Sequence, residues 1–209
     1  MMPIGTINED VKSVLERIGS MCSRVESVLN LCMLGFVKNK IEFVDEADTI
    51  SQSVHKEENE LINILSAMAT GPEADTALIK SLMAVVGHIE LATDMLDIVL
   101  KHVRAKASEK ILFSDKGKNE VRLIFKETLD VLKTAEDVIL TKNEVLRKHI
   151  SEKYESISRT ASMFSEEHED RLVKGLCSPK SSSLYLSIVD SQLKVVLHIK
   201  QAVDRLFCE

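Results

Sequence analysis

Apolar residues recur at intervals of three and four along almost the whole chain, the spacing that gathers them on one face of an α-helix. Val11, Val14, Leu15, Ile18, Met21, Cys22, Val25, Val28, Leu29 and Cys32 form the first stripe. With the acids of NEDVKSVLERI in its first turn, it predicts a helix from near Asn8 to about Lys38. A second stripe, from about Lys40 to Ala69, carries Val44, Ala47, Ile50, Val54, Leu61, Ile64, Leu65 and Met68 and stops at the breaker Thr70-Gly71-Pro72. A third helix is predicted from about Glu73 to Lys106. Between Ser108 and Lys118, SEKILFSDKGK interrupts the pattern with a Ser, an Asp and a Gly and reads as a linker. Helices four, five and six then cover roughly 119–141, 143–174 and 181–207.

The third and sixth stripes match one another at an offset of about 104 residues: Ile89, Ala92, Met95, Val99 and Val103 fall on Leu193, Val196, Ile199, Val203 and Phe207. The same offset lays Gly71 on Gly175, with Pro72 and Pro179 close behind. Such self-similarity marks an internal repeat. Long helices joined by short loops are antiparallel neighbours, so each repeat is expected to be an up-and-down three-helix bundle. The expected fold class is therefore all-α: two tandem three-helix bundles over residues 1–107 and 119–209, joined by a linker at 108–118. The Gly-Pro breaks come too regularly for one long heptad coiled coil.

Composition narrows the picture further. Aromatic residues are 4% of the 209 positions and Gly and Pro are scarce, which favours helices over a turn-rich β fold. A net charge of −6 and a pI near 5.6 repel a phosphate backbone, so no nucleic-acid partner is expected. Cys22, Cys32, Cys177 and Cys208 are scattered, without a CxxC or a Cys/His spacing for zinc, which fits a reducing compartment. MMPIGTINED lacks the basic and apolar regions of a secretion signal, and runs such as LCMLGFV from Leu31 are too short to span a bilayer. A soluble, cytoplasmic chain without a membrane span is expected.

One stretch adds family information. FSEEHEDRLVKGLCSPKSSSLYLSIVDSQLKVVLHIKQAV, from Phe164, resembles the last part of PhoU-like domains, particularly those attached to bacterial sodium-phosphate cotransporters. Phe164, His168, Arg171, Leu172, Gly175 and Ser181 to Ser183 carry the likeness. MCSRVESVLNLCMLGF, SVHKEENELINILSAM and GHIELATDMLDIV extend it to the first repeat. The resemblance implies a regulator of phosphate uptake or phosphate signalling, working through contacts with a transporter's cytosolic face or a sensor protein; the sequence leaves open whether it forms a homodimer.

The resemblance also implies acid-xxx-acid pairs on the inner helices that bind metal clusters in family members. Residues four apart on a helix stand one above the other and can offer carboxylates to one cation. Here one pair is intact, Glu90 and Asp94, and Asp97 continues the stripe. The matching positions hold Lys194 and His198 in helix six, Ser51 and His55 in helix two, and Tyr154 and Ser158 in helix five. A multinuclear cluster is not expected from this set. Two readings follow: a solvated acidic face, or one divalent or transition metal ion on Glu90 and Asp94 with His55 or His198 beside it. His168, within SEEHED, is expected to serve an interhelical or capping contact, because its flanking acids fan to other sides of the helix. His88, His102 and His149 have no second ligand type at useful spacing, and Met21, Met33, Met68, Met83, Met95 and Met163 read as core filling.

No sequence handle for catalysis is present. Glu-x-x-His, GxxxxGK[ST], GxGxxG and GxSxG are all absent. The chain is expected not to be an enzyme, and the readings carried forward are a phosphate-type regulator, a small metal-binding helical protein and a generic helical adaptor.

Overall fold

The computed structural model describes residues 5–72 and 74–207, with side chains from Asp10 onward. Glu73, Cys208 and the first four residues, on which the start of the third helix, the fourth cysteine and part of the N-terminal reading fall, lie outside the described residues. Six α-helices and no strand are found among the described residues: α1 (Gly5–Lys38), α2 (Glu42–Ala69), α3 (Thr76–Ser108), α4 (Asp115–Thr141), α5 (Glu144–Val173) and α6 (Pro179–Arg205).

Capping chemistry sets most of the boundaries. Asp75 accepts from the Leu78 amide at 3.0 Å, so α3 begins at Thr76 rather than near Glu73. The Ser and Asp that read as linker are a helix start instead. Ser114 accepts from the Gly117 amide at 3.1 Å and Asp115 sits in the first turn, which lengthens α4 and leaves residues 109–114 as the connection. Asn143 caps α5 through the Val145 and Leu146 amides, and Ser178 caps α6 with Pro179 in the first turn. After α5, Gly175 adopts φ +69°, the left-handed conformation that ends a helix at least cost without a Cβ.

Each half repeats the same packing. Within the first, α1, α2 and α3 all touch one another, as α4, α5 and α6 do within the second. Two further pairings, α3 with α6 and α1 with α4, join the halves. Exchanging 1 with 4, 2 with 5 and 3 with 6 leaves this set of pairings unchanged, the packing counterpart of the sequence repeat. Inner helices α1, α3, α4 and α6 make most of one continuous apolar core, and α2 and α5 pack on its flanks and add Val54, Leu61 and Leu65, and Ile150 and Ile157, to it. Ile89, Ala92, Val99, Val103, Val196, Ile199 and Val203 from the repeat stripes are all buried. Gly35 allows close approach here: a Cβ on it would meet Val44 Cγ2 at 3.0 Å and Val103 Cγ1 at 3.3 Å. Met21 is buried in the core as expected, whereas Met163 is 47% exposed and fills nothing, because its stripe on α5 turns outward.

Candidate functional site

The acidic stripe of α3 faces α2, and the residue it meets is His55. Its Nδ1 lies 2.5 Å from Glu90 Oε1 and its Nε2 lies 3.0 Å from Asp97 Oδ2. Ser51, one turn earlier on α2, donates its hydroxyl to Asp97 Oδ1 at 2.6 Å. Burial works to lower the His55 pKa, but the hydrogen bonds to Glu90 and Asp97 and the two negative charges outweigh it and raise it. Glu58 belongs to the same field, its carboxyl pushed up by burial and by the charge of Glu90. Sequence reasoning did not single out Glu58, since nothing in its spacing shows that it faces α3.

His55, Glu90 and Asp94 each offer a ligand atom, and the three atoms lie within 4.8 Å of one another. Glu90 Oε2 is buried without a hydrogen-bond partner, an oxygen left over once Oε1 has met His55. One imidazole and two carboxylates suit a single divalent ion of the borderline kind, such as zinc, manganese or iron(II). An ion held there by Nδ1 would leave Nε2 free to donate to Asp97, the arrangement in which a carboxylate fixes a metal-binding histidine. Asp97, itself held by Ser51, would thus orient the imidazole. The residues present fit one ion and not a cluster.

His198 stands apart from this trio. It lies on α6, where the negative charge of Asp94 reaches it, but its ring stacks on His88 across the α3–α6 seam, centroids 6.0 Å apart and planes 28° from parallel. Burial lowers the pKa of both rings, helped at His88 by the charges of His198 and Arg205 and at His198 by that of Lys194, with Gln201 and Asp94 acting the other way at His198. His88 thus meets a ring and no set of ligands, and His102, half-buried like it, has its Nε2 2.7 Å from the Ser187 hydroxyl. In the second half, Lys194 pairs with Asp190 at 2.8 Å, and Tyr154 and Ser158 replace Ser51 and His55. Among the described residues no other trio of potential ligands is found.

The residues of the second half that carry the family likeness do something else. His168 stacks flat on Tyr185, centroids 4.0 Å apart and planes 10° from parallel, which is an interhelical contact between α5 and α6. Its neighbour Arg171 reaches across to the buried Glu120 of α4, and the Tyr185 hydroxyl donates to the same carboxylate at 2.7 Å. Burial pushes the Tyr185 phenol up, as does the charge of Glu120. His168, Arg171, Glu120 and Tyr185 are thus a lock among three helices.

No protein-family model and no curated protein matches the sequence. Solved structures do. PhoU from Pseudomonas aeruginosa superposes with a TM-score of 0.89 at 14% identity, over 97% of each chain. The phosphate transport system regulatory protein PhoU from Streptococcus pneumoniae gives 0.83 at 15% identity, over 95% of this chain and 94% of that one. A putative PhoU-like phosphate regulatory protein from Shewanella oneidensis gives 0.64 at 9% identity, over 92% and 96%. No helix among the described residues is long and apolar enough to cross a membrane. With six helices in two like halves and this agreement over nearly its whole length, the chain has the PhoU-like fold.

Proposed function

We propose that this chain is a non-catalytic, cytoplasmic regulator of phosphate uptake or phosphate signalling that acts through protein contacts. The observation that carries the reading is the likeness, over almost the entire chain, to two PhoU proteins, one of them described as a phosphate transport system regulatory protein. The absence from the sequence of any recognised catalytic motif supports the same reading. Its partner is the cytosolic face of a transporter, or a sensor protein. A regulator shifts a partner's equilibrium only through unequal affinity for two of its states, so association must differ between phosphate-rich and phosphate-starved cells. Tagged chain recovered from both conditions should retain a transporter or sensor component in unequal amounts. Recovery of neither in either condition would contradict the proposal.

A second reading is favoured by the trio His55, Glu90 and Asp94: binding of one divalent ion, either as the chain's own task or as a brace that fixes α2 against α3 in the regulator. The two readings are compatible, and the trio can be tested without reference to phosphate.

A further inference from the structure

The helices alternate in direction, so the connections at 39–41, 109–114 and 174–178 come together at one end of the molecule. Three contacts confirm this. Lys106 Nζ near the end of α3 donates to the Phe36 carbonyl at 3.0 Å and to Asn39 Oδ1 at 2.9 Å. Lys180 at the start of α6 pairs with Glu109. Leu112 and Leu176 line one shallow groove between the second and third connections.

This end has an unusual surface. Leu112 is 85% exposed, Leu176 68% and Val173 89%, and Val37 at the end of α1 and Ile41 on the first connection are also exposed. No charged residue at this end covers the aliphatic tips, although lysines stand beside them: Lys38 and Lys40, Lys110, and Lys174. Over 38–42, 109–118 and 173–180 there are seven lysines; Lys116, Lys118, Lys174 and Lys180 pair with Glu167, Asp115, Asp170 and Glu109, while Lys38, Lys40 and Lys110 have no ion-pair partner among the described residues. At the opposite end, Asp10, Asp75 and Glu144 stand with Lys142 and Arg205. Unpaired lysines therefore stand where the aliphatic side chains protrude.

We propose that this end docks on an anionic lipid surface. Leu112, Val173 and Leu176 would enter the headgroup region while the lysines meet the lipid phosphates and carboxylates. The residue types favour lipid over protein as the occupant. Protein interfaces are enriched in aromatic residues and arginine and depleted in lysine, and these three connections expose no aromatic side chain and contain no arginine. Lysine is suited to an anionic surface, because its long stem lies along apolar surface while its ammonium stays in water. Lys40 and Lys110 have no ion-pair partner among the described residues, so their charges are available. The proposal rests on this surface alone and stands or falls independently of the link to phosphate.

The test is sedimentation of the full chain with vesicles of phosphatidylcholine alone and of phosphatidylcholine containing phosphatidylserine. The chain should pellet with the anionic vesicles, stay in solution with the neutral ones, and be released by raised salt. Leu112→Ser together with Leu176→Ser should weaken partitioning about tenfold or more, since each removes an exposed aliphatic tip. Lys40→Ala and Lys110→Ala should each cost about fivefold. All four side chains are exposed, so an unchanged thermal midpoint checks that folding is preserved. Failure to pellet with anionic vesicles at low salt overturns the proposal, as does wild-type binding by the leucine variant. A chain that ignores vesicles but loses a co-purifying membrane protein on the leucine substitutions also overturns it, and makes this end a protein contact instead.

Discussion

Arg171 on α5 grips Glu120 on α4 with both terminal nitrogens, Nη1 to Oε1 at 3.0 Å and Nη2 to Oε2 at 2.6 Å, and only 12% and 5% of the two side chains are exposed. A two-point pair of this kind fixes both the distance and the rotation of α5 against α4. Tyr185 adds α6 through its hydroxyl, and His168 adds its ring.

Removing one partner from this pair strands a charge in the core. Arg171→Ala should therefore destabilise the chain by about 3–5 kcal/mol in urea unfolding. Tyr185→Phe should cost about 1–3 kcal/mol, because Glu120 loses one of its donors. A loss below about 1 kcal/mol for Arg171→Ala would show that water reaches Glu120 and that the lock is not buried in solution.

Metal binding is read by elemental analysis of chain purified without chelator or affinity-column metal. If the trio holds an ion, wild type should carry about one equivalent or less, and the Glu90→Ala, Asp94→Ala double variant none. His55→Gln should lower the content as well. Metal retained at wild-type level in the double variant would place the ligands elsewhere, and a metal-free wild type would favour the solvated acidic face.

Acid should loosen the junction between the start of α5 and the end of α6. Arg147 Nε donates to Asp204 Oδ1 at 3.0 Å and Lys200 Nζ to Oδ2 at 2.7 Å. Burial works to raise the Asp204 pKa, but the bonds from Lys200 and Arg147 and their charges lower it below the ordinary 3.8. A carboxyl lowered on folding contributes its stability in full above the unfolded value and loses it as pH falls through the folded one. Asp204→Asn should thus cost about 1 kcal/mol at neutral pH, and the difference from wild type should shrink below pH 3.8. A difference that stays constant down to that range would mean that Asp204 contributes through packing and not through its charge.

Much of the fold was legible because it depends on spacing within single helices. The stripes of α3 and α6 announce which face is buried, and the burial of Ile89, Val99, Val196 and Val203 follows from them. The start of α4 was misplaced because Ser114 and Asp115 serve loops and helix caps equally well, and only the hydrogen bond to Gly117 decides. The site was half legible. Glu90 and Asp94 share a face by their spacing, whereas His55 lies on another helix and was reached through family resemblance. The pairing of His88 with His198, and the approach of Glu58 to Glu90, depend on how two helices are rotated and offset against each other. Spacing along one helix does not contain that information.

Uptake of labelled phosphate tests the central claim most directly, compared between cells carrying the gene, cells deleted for it, and deleted cells in which it is restored. A regulator of phosphate uptake or signalling predicts that deletion changes uptake, or its response to phosphate starvation, and that restoration returns it to normal. Uptake and starvation response identical in all three strains would contradict that claim and leave a helical adaptor with the PhoU-like fold but no part in phosphate control.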